Sequence, residues 1–223
     1  MSLARTYIRR RGRITRAQAA ALGDDLDRVR VPPDRPVDAI ALFGRSAPLV
    51  LEIGFGMGQA LLAYAQANPH ANCVGAEIYR PGIGALARAL RTSDVGNVRI
   101  FEGDARELVG TLLPDGSLSL AMIYFPDPWP KKRHHKRRLI EPGFVAALAR
   151  RLAPGGRLLL ATDWETYARA MLDVLTAEPL LENLAGARRF AAPSRDGPTR
   201  FESRGARLGH RVWDLAFARR PEG

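Results

Sequence analysis

The chain has almost no cysteine: Cys73 is the only one in 223 residues. An intrachain disulfide and a cysteine-based zinc site are both excluded, and Cys73 is expected to serve as a small buried hydrophobe. Long apolar runs are missing as well, and no stretch approaches the ~20 residues that a membrane-spanning helix needs. No apolar segment follows the N-terminal arginines, which rules out a secretory signal and leaves a transit-peptide reading only weakly open. A reducing cytoplasm is the expected compartment, with no membrane partner. Acids are also scarce relative to bases: 23 Asp and Glu face 34 Lys and Arg, for a formal charge of +11. Such an excess favours an anionic partner, because clustered cations release counterions when they meet phosphates.

The positive charge is uneven. Met1 to Gln18 carries Arg5, Arg9, Arg10, Arg11, Arg13 and Arg16 without one acid. Residues 1–40 therefore read as a basic, partly flexible N-terminal arm, and 41–223 as one domain. From Pro48 onward, short apolar runs alternate with amphipathic stretches, the pattern of a doubly wound α/β sheet. Strands are expected at Leu49–Gly54, Asn72–Ile78, Val98–Glu102, Leu118–Phe125 and Arg157–Thr162. Helices are expected at Gln59–Ala67, Gly82–Arg91, Ala105–Leu112, Glu141–Leu152 and Trp164–Thr176. Ala153-Pro154-Gly155-Gly156 reads as a helix stop, since proline cannot extend a helix and glycine accepts left-handed dihedrals. A Pro, Gly, Arg and Ser-rich loop over 193–209 precedes a final alternating segment, His210–Phe217, expected to be an antiparallel strand.

Leu49-Val50-Leu51-Glu52-Ile53-Gly54-Phe55-Gly56-Met57-Gly58 is a strand running into a glycine-rich turn. Gly54, Gly56 and Gly58 would let the backbone approach a ligand closely. A dinucleotide fingerprint needs glycine where Gln59 stands, which argues against a nicotinamide cofactor. Glu77, ending the second strand, could accept hydrogen bonds from ribose hydroxyls, and Asp104, after the third, one from an adenine amine. Each could instead cap a helix. Glu52 lies inside the first strand, where a carboxylate is costly unless paired, and a ligand ammonium would suit it. With Asp127, these four acids at successive strand ends would ring S-adenosylmethionine.

Asp127 belongs to Tyr124-Phe125-Pro126-Asp127-Pro128-Trp129-Pro130, whose three prolines stiffen the backbone. Six Lys and Arg occupy the eight positions from Lys131 to Arg138. A carboxylate thus adjoins a strip suited to a polyanion, although a solvated charged helix would look the same. Trp129 is left between stacking on a base and packing beneath the turn. His134 and His135 are expected to face RNA, because they lack metal-ligand spacing and no acid is near; no metal site is expected.

These motifs, with Gly75-Ala76-Glu77, Lys136-Arg137-Arg138, Thr162-Asp163-Trp164, Thr199-Arg200-Phe201-Glu202 and Arg207-Leu208-Gly209-His210-x-Val212-Trp213-Asp214-Leu215, resemble the bacterial tRNA (guanine-N7-)-methyltransferase family over about Pro48 to Phe217. The resemblance implies a Rossmann-like class I methyltransferase sheet, mostly parallel with an antiparallel C-terminal strand. It also implies methyl transfer from S-adenosylmethionine to guanine 46 in the tRNA variable loop. It places Glu52, Glu77, Asp104 and Asp127 on the cofactor, with Asp127 also catalytic. Substrate would meet Lys131, Asp163, Thr199, Arg200, Phe201 and Glu202, and RNA would meet Arg133, His134, His135, Lys136, Arg137 and Arg138. The expected partner is tRNA and not DNA, with the protein a monomer or homodimer. Pro130 departs from the family, in which many members have histidine. A methyltransferase acting on an exocyclic amine, and a non-catalytic RNA binder, stay open as alternatives.

Overall fold

The computed structural model describes residues 13–193 and 211–221. The chain begins with two short helices, α1 (Arg16–Ala20) and α2 (Asp24–Asp27), and a third, α3 (Ala39–Phe43). Alternation follows: β1 (Leu49–Ile53), α4 (Gln59–Ala67), β2 (Asn72–Glu77), α5 (Arg80–Thr92) and β3 (Val98–Glu102). Next come α6 (Ala105–Glu107), continued by a π-turn over Leu108–Leu112, and β4 (Leu118–Tyr124). A 3₁₀ turn at Lys132–Arg137 leads to α7 (Pro142–Arg151), β5 (Leu152–Thr162), α8 (Glu165–Ala177), β6 (Leu181–Asn183) and β7 (Trp213–Arg219).

The strands form one sheet in the order β3-β2-β1-β4-β5-β7-β6. Pairing is parallel from β3 through β5, and β7 runs antiparallel to both β5 and β6. This is the expected doubly wound, mostly parallel sheet with an antiparallel C-terminal strand. Chain order reverses direction between β1 and β4, and ligands of open α/β sheets bind outside the carboxyl ends of strands at such a switch.

Alternation along β1 divides the core between the two faces. Leu49, Leu51 and Ile53 join α7 and α8 residues such as Val145, Leu148, Met171 and Leu175. Val50 joins Cys73, Leu61 and Ala65, with Ile83, Leu86, Ala87 and Leu90 from α5. Those four α5 positions follow the 3–4 spacing of a single helix face, which is why this helix lies flat on the sheet. Glu52 has the parity of Val50, so it points to the α4/α5 face.

Residues 13–40, placed by sequence in the basic arm, contribute Ala21, Leu26, Val31 and Val37 to the core. The segment runs along the outer edge of β3: the Val31 amide donates to Ile100 O at 2.8 Å, and the Ile100 amide to Val29 O at 2.7 Å. An edge strand with open amides and carbonyls is thereby covered. On α5, Gly84 admits α1 so closely that a Cβ there would lie 2.3 Å from Gln18 O.

Several element ends shift by one to three residues, and three departures are larger. β5 starts at Leu152, because the Pro-Gly-Gly stop is absorbed as an irregularity between the pairs Leu118↔Leu152 and Leu120↔Arg157, with Gly155 at φ +75°. The expected helix over Ala105–Leu112 is half π-turn. The basic strip is a 3₁₀ turn and not the regular helix of the solvated-face alternative, consistent with prolines before it and at Pro142.

Candidate active site at the sheet switch point

Backbone hydrogen bonds fix where each loop leaves the sheet. The Gly54 amide donates to Ala76 O at 2.8 Å, the Gly103 amide to Glu77 O at 3.1 Å, and the Phe125 amide to Ala161 O at 2.8 Å. The loops carrying the expected acids therefore start together on one rim, across β3, β2, β1 and β4.

The glycine turn is built from left-handed residues: Gly54, Gly56 and Gly58 have φ of 75°, 57° and 78°. Their surroundings assign them different tasks. A Cβ on Gly54 or Gly56 would meet nothing within 4 Å, whereas one on Gly58 would lie 2.8 Å from Leu86. The first two border open space, and the third lets α4 begin against α5. The turn is wedged from behind by Gly82, where a Cβ would sit 1.8 Å from Gly56 O.

Glu52 is 3% exposed, and its Oε2 is buried with no hydrogen-bond partner among the described residues. Burial, with the neighbouring charge of Glu77 adding to it, pushes its pKa up to about 8. Such a group is held neutral until a cation reaches it. Glu77 is engaged differently: Oε2 accepts from the Gly56 amide at 2.8 Å, and Oε1 from the Ile78 and Tyr79 amides at 2.7 and 2.9 Å. It ties the glycine turn to the end of β2. Asp104 caps α6, accepting from the Arg106 amide at 2.9 Å, and its other oxygen pairs with Arg106 Nη2 at 3.2 Å. For Asp104 the helix-cap role is thus realised in the structure.

Asp127 is half-buried on the turn after β4. Two non-glycine residues of that turn occupy the left-handed region, Phe125 at φ 52° and Trp129 at φ 44°. Each such residue stores roughly 1–3 kcal/mol, which surrounding contacts must hold in place. Trp129 supplies some of that hold. It is 6% exposed, with the Arg137 guanidinium 4.9 Å above its ring and His134 edge-on at 5.6 Å. Of its two expected fates, packing beneath the turn is the one realised.

The basic strip consequently divides. Lys131, Lys132, Arg133, His135 and Lys136 are exposed, while His134 and Arg137 turn partly inward onto Trp129. Burial, and then the cations Arg137, Arg133, Lys131 and Lys136, lower the His134 pKa, which keeps its ring neutral at pH 7. Arg138, expected to touch RNA, is buried in the structure: it is 7% exposed and donates from Nε to Pro128 O at 3.0 Å. The chain turns into α7 here, carrying the side chain beneath the Asp127 turn.

Asp163 is exposed just past β5, as is Trp164, at 41%. Trp164 is the N-cap residue of α8, and its amide donates to Thr162 Oγ1 at 3.2 Å. Trp164 is the one exposed aromatic among the described residues; it stands at the strand end next to that of Asp127. Sequence reasoning gave it no role, although it falls inside the Thr162-Asp163-Trp164 motif. Thr199, Arg200, Phe201 and Glu202 lie outside the described residues. Among the described residues, no group of three or more His, Cys, Asp and Glu could hold a metal ion, and no helix is long and apolar enough to cross a membrane.

Residues 46–215 match the family model Methyltransf_4, described as "Putative methyltransferase". The chain is 48% identical over 219 residues to the tRNA (guanine-N(7)-)-methyltransferase of Alkalilimnicola ehrlichii, covering 97% of this chain and 92% of that one. It is 51% identical over 218 residues to the enzyme of the same name from Bordetella pertussis, covering 96% and 85%. Among solved structures, the 16S rRNA methyltransferase KamB superposes with a TM-score of 0.59 at 16% identity, over 86% of this chain and 99% of that one. A 16S rRNA (adenine(1408)-N(1))-methyltransferase variant from Catenulisporales acidiphilia gives 0.54 at 17%, over 86% and 94%. These structural matches establish the class I methyltransferase fold.

Proposed function

Because the chain belongs to the tRNA (guanine-N7)-methyltransferase family, we propose that the guanine it methylates lies at position 46 in the variable loop, with Asp127 acting on the base. The activity is methyl transfer to N7 of a tRNA guanine. S-adenosylmethionine supplies an already electrophilic sulfonium methyl. The residues present suit that donor. The buried, unpartnered Glu52 oxygen would hold its ammonium, and the open faces of Gly54 and Gly56 would lie along it. Glu77 would reach the ribose hydroxyls, and Asp104 the adenine amine.

Guanine N7 carries an in-plane lone pair and no proton, so no general base is required before attack. What the protein must do is align the base and stabilise the charge it acquires. Asp127, fixed on its strained turn, would accept hydrogen bonds from guanine N1 and N2 and offset the positive charge developing on the ring. Trp164 would offer a stacking face for a base, since Trp129 is committed to packing. Lys131 and Asp163 would orient the nucleotide, and Lys132, Arg133 and Lys136 would grip phosphates. Substrate roles for Thr199 to Glu202 follow from the family resemblance. The A-form major groove hides N7 from side chains, which favours a target in a loop or tertiary corner.

The observation that carries this reading is the buried Glu52 oxygen without a protein partner, at the head of a glycine turn and one strand from Asp127. Mass-spectrometric nucleoside mapping of tRNA after incubation with the protein and S-adenosylmethionine tests it. The expected product is 7-methylguanosine at position 46, lost in Asp127→Ala. Product at another position sinks the site assignment, and full activity of the variant sinks the role of Asp127.

A further inference from the structure

The contacts of Arg138 set it apart from its neighbours in the strip. Its Nε donates to Pro128 O at 3.0 Å, and Pro128 is joined directly to Asp127. Its guanidinium carbon lies 4.6 Å from the centroid of the Tyr167 ring. Nη2 stands 3.2 Å from His135 Nε2. Tyr167 is fully buried in α8, and its hydroxyl accepts from the Ile140 amide at 3.2 Å, anchoring the stretch that follows Arg138. Asp127 is close enough for its charge to help raise the Tyr167 pKa, to about 12, after burial as the main cause. Burial lowers the Arg138 pKa, yet a guanidinium stays charged at any physiological pH. The Asp127 turn, strained at Phe125 and Trp129, is thus clamped from below. The clamp is a planar cation fitted between a proline carbonyl and an aromatic face.

We propose that Arg138 is a positioning residue for methyl transfer: it holds the Pro128 carbonyl, and through it the Asp127 carboxylate, in the working geometry instead of contacting RNA. The proposal rests on Asp127 acting on the base. It separates the strip into an outward set that binds and an inward residue that aligns. Loss of alignment without loss of binding appears in kcat and not in KM.

The test uses the full chain, S-adenosylmethionine and unmodified tRNA, comparing Arg138→Ala and Arg138→Lys with the wild type. In Arg138→Ala, kcat is expected to fall at least tenfold. KM for tRNA and the salt dependence of binding should stay within twofold of wild type, as should the calorimetric affinity for S-adenosylmethionine. Arg138→Lys keeps the charge but lacks the flat fork that spans carbonyl and ring, so its kcat should fall comparably. It also decides the matter should Arg138→Ala fail to fold. Full kcat in Arg138→Lys overturns the proposal, because charge alone would then suffice. A raised KM with a reduced salt slope and unchanged kcat overturns it in favour of a phosphate contact. A wild type that forms no 7-methylguanosine refutes instead the functional reading on which the proposal stands.

Discussion

Replacing Glu52 with glutamine should shift the stability of the ligand-free protein, relative to the wild type, in favour of the variant as pH rises. The native carboxyl has a pKa of about 8 against an ordinary value of 4.5. An acid whose pKa is raised by folding adds nothing below the lower value. Above it, the unfolded chain loses its proton while the native state keeps one, so stability declines as pH climbs towards the native pKa and levels off beyond it. With ~1.4 kcal/mol per unit, the penalty is roughly 1.4 kcal/mol at pH 5.5 and about 4 kcal/mol at pH 7.5. Glutamine removes that dependence. Its own amide, buried in the same place, adds a pH-independent penalty of about 1–3 kcal/mol, so the offset between the two proteins is uninformative and the slope is the test. Cys73 does not confound it: burial foremost raises its thiol from 9.0 to about 12, and an acid so raised costs stability only above its ordinary value, outside this pH range.

Urea unfolding of both proteins without cofactor, at pH 5.5, 6.5 and 7.5, should show the stability difference shifting by about 2.5 kcal/mol in favour of Glu52→Gln across the range. A shift below ~0.5 kcal/mol would refute a neutral, desolvated Glu52. A second readout is independent of stability. If the sulfonium donor's ammonium pairs with Glu52, binding must expel the proton that the native carboxyl holds, about 0.9 per site at pH 7. Calorimetry in two buffers of different ionisation enthalpy measures that release directly, and it should vanish in Glu52→Gln.

Gly82→Ala places a Cβ 1.8 Å from Gly56 O, a backbone atom that cannot swing aside; calorimetry should show at least a tenfold weaker affinity for S-adenosylmethionine, and an unchanged affinity would remove Gly82 as the wedge behind the turn. Replacing Arg133 and Lys136 together by alanine should lower the log–log salt slope of tRNA binding by about 1.4, at ~0.7 per phosphate contact on unpaired RNA, with kcat retained. An unaltered slope would mean that the exposed face of the strip does not meet phosphate. Trp164→Ala should raise KM for tRNA about tenfold, within the ~1–3 kcal/mol of base–aromatic stacking, and Trp164→Phe should recover most of it; equal KM values in all three proteins would rule out stacking there.

What could be read from sequence was whatever a short stretch decides by itself. Leu49–Gly58 declares a strand and a turn within ten residues, because an apolar run followed by spaced glycines has few other uses, and the strand–helix alternation after it implies the sheet. The same locality explains the misses. β6 is three residues long and exists because β7 offers it an edge, and the covering of β3 by Arg30 and Val31 depends on a strand that comes some seventy residues later. Nothing local shows that Asp104 caps α6, as it does in the structure.

The basic strip shows this limit most sharply, since Arg133 and Arg138 are the same residue in the same run and differ only in what the fold sets beneath them. Under Arg138 stands Tyr167, delivered by α8, the helix that follows β5. Arg133, by contrast, remains exposed. A charge run therefore predicts that some cations meet a polyanion without predicting which, and the count alone overstates the grip. Cations turned inward have different partners: Arg137 lies over Trp129 and Arg138 against Pro128, bracing a turn with left-handed dihedrals at Phe125 and Trp129. Under the proposed function, the adjacency of carboxylate and cation in the sequence would thus have two physical meanings, a surface that draws the RNA in and a clamp that keeps Asp127 where the base arrives.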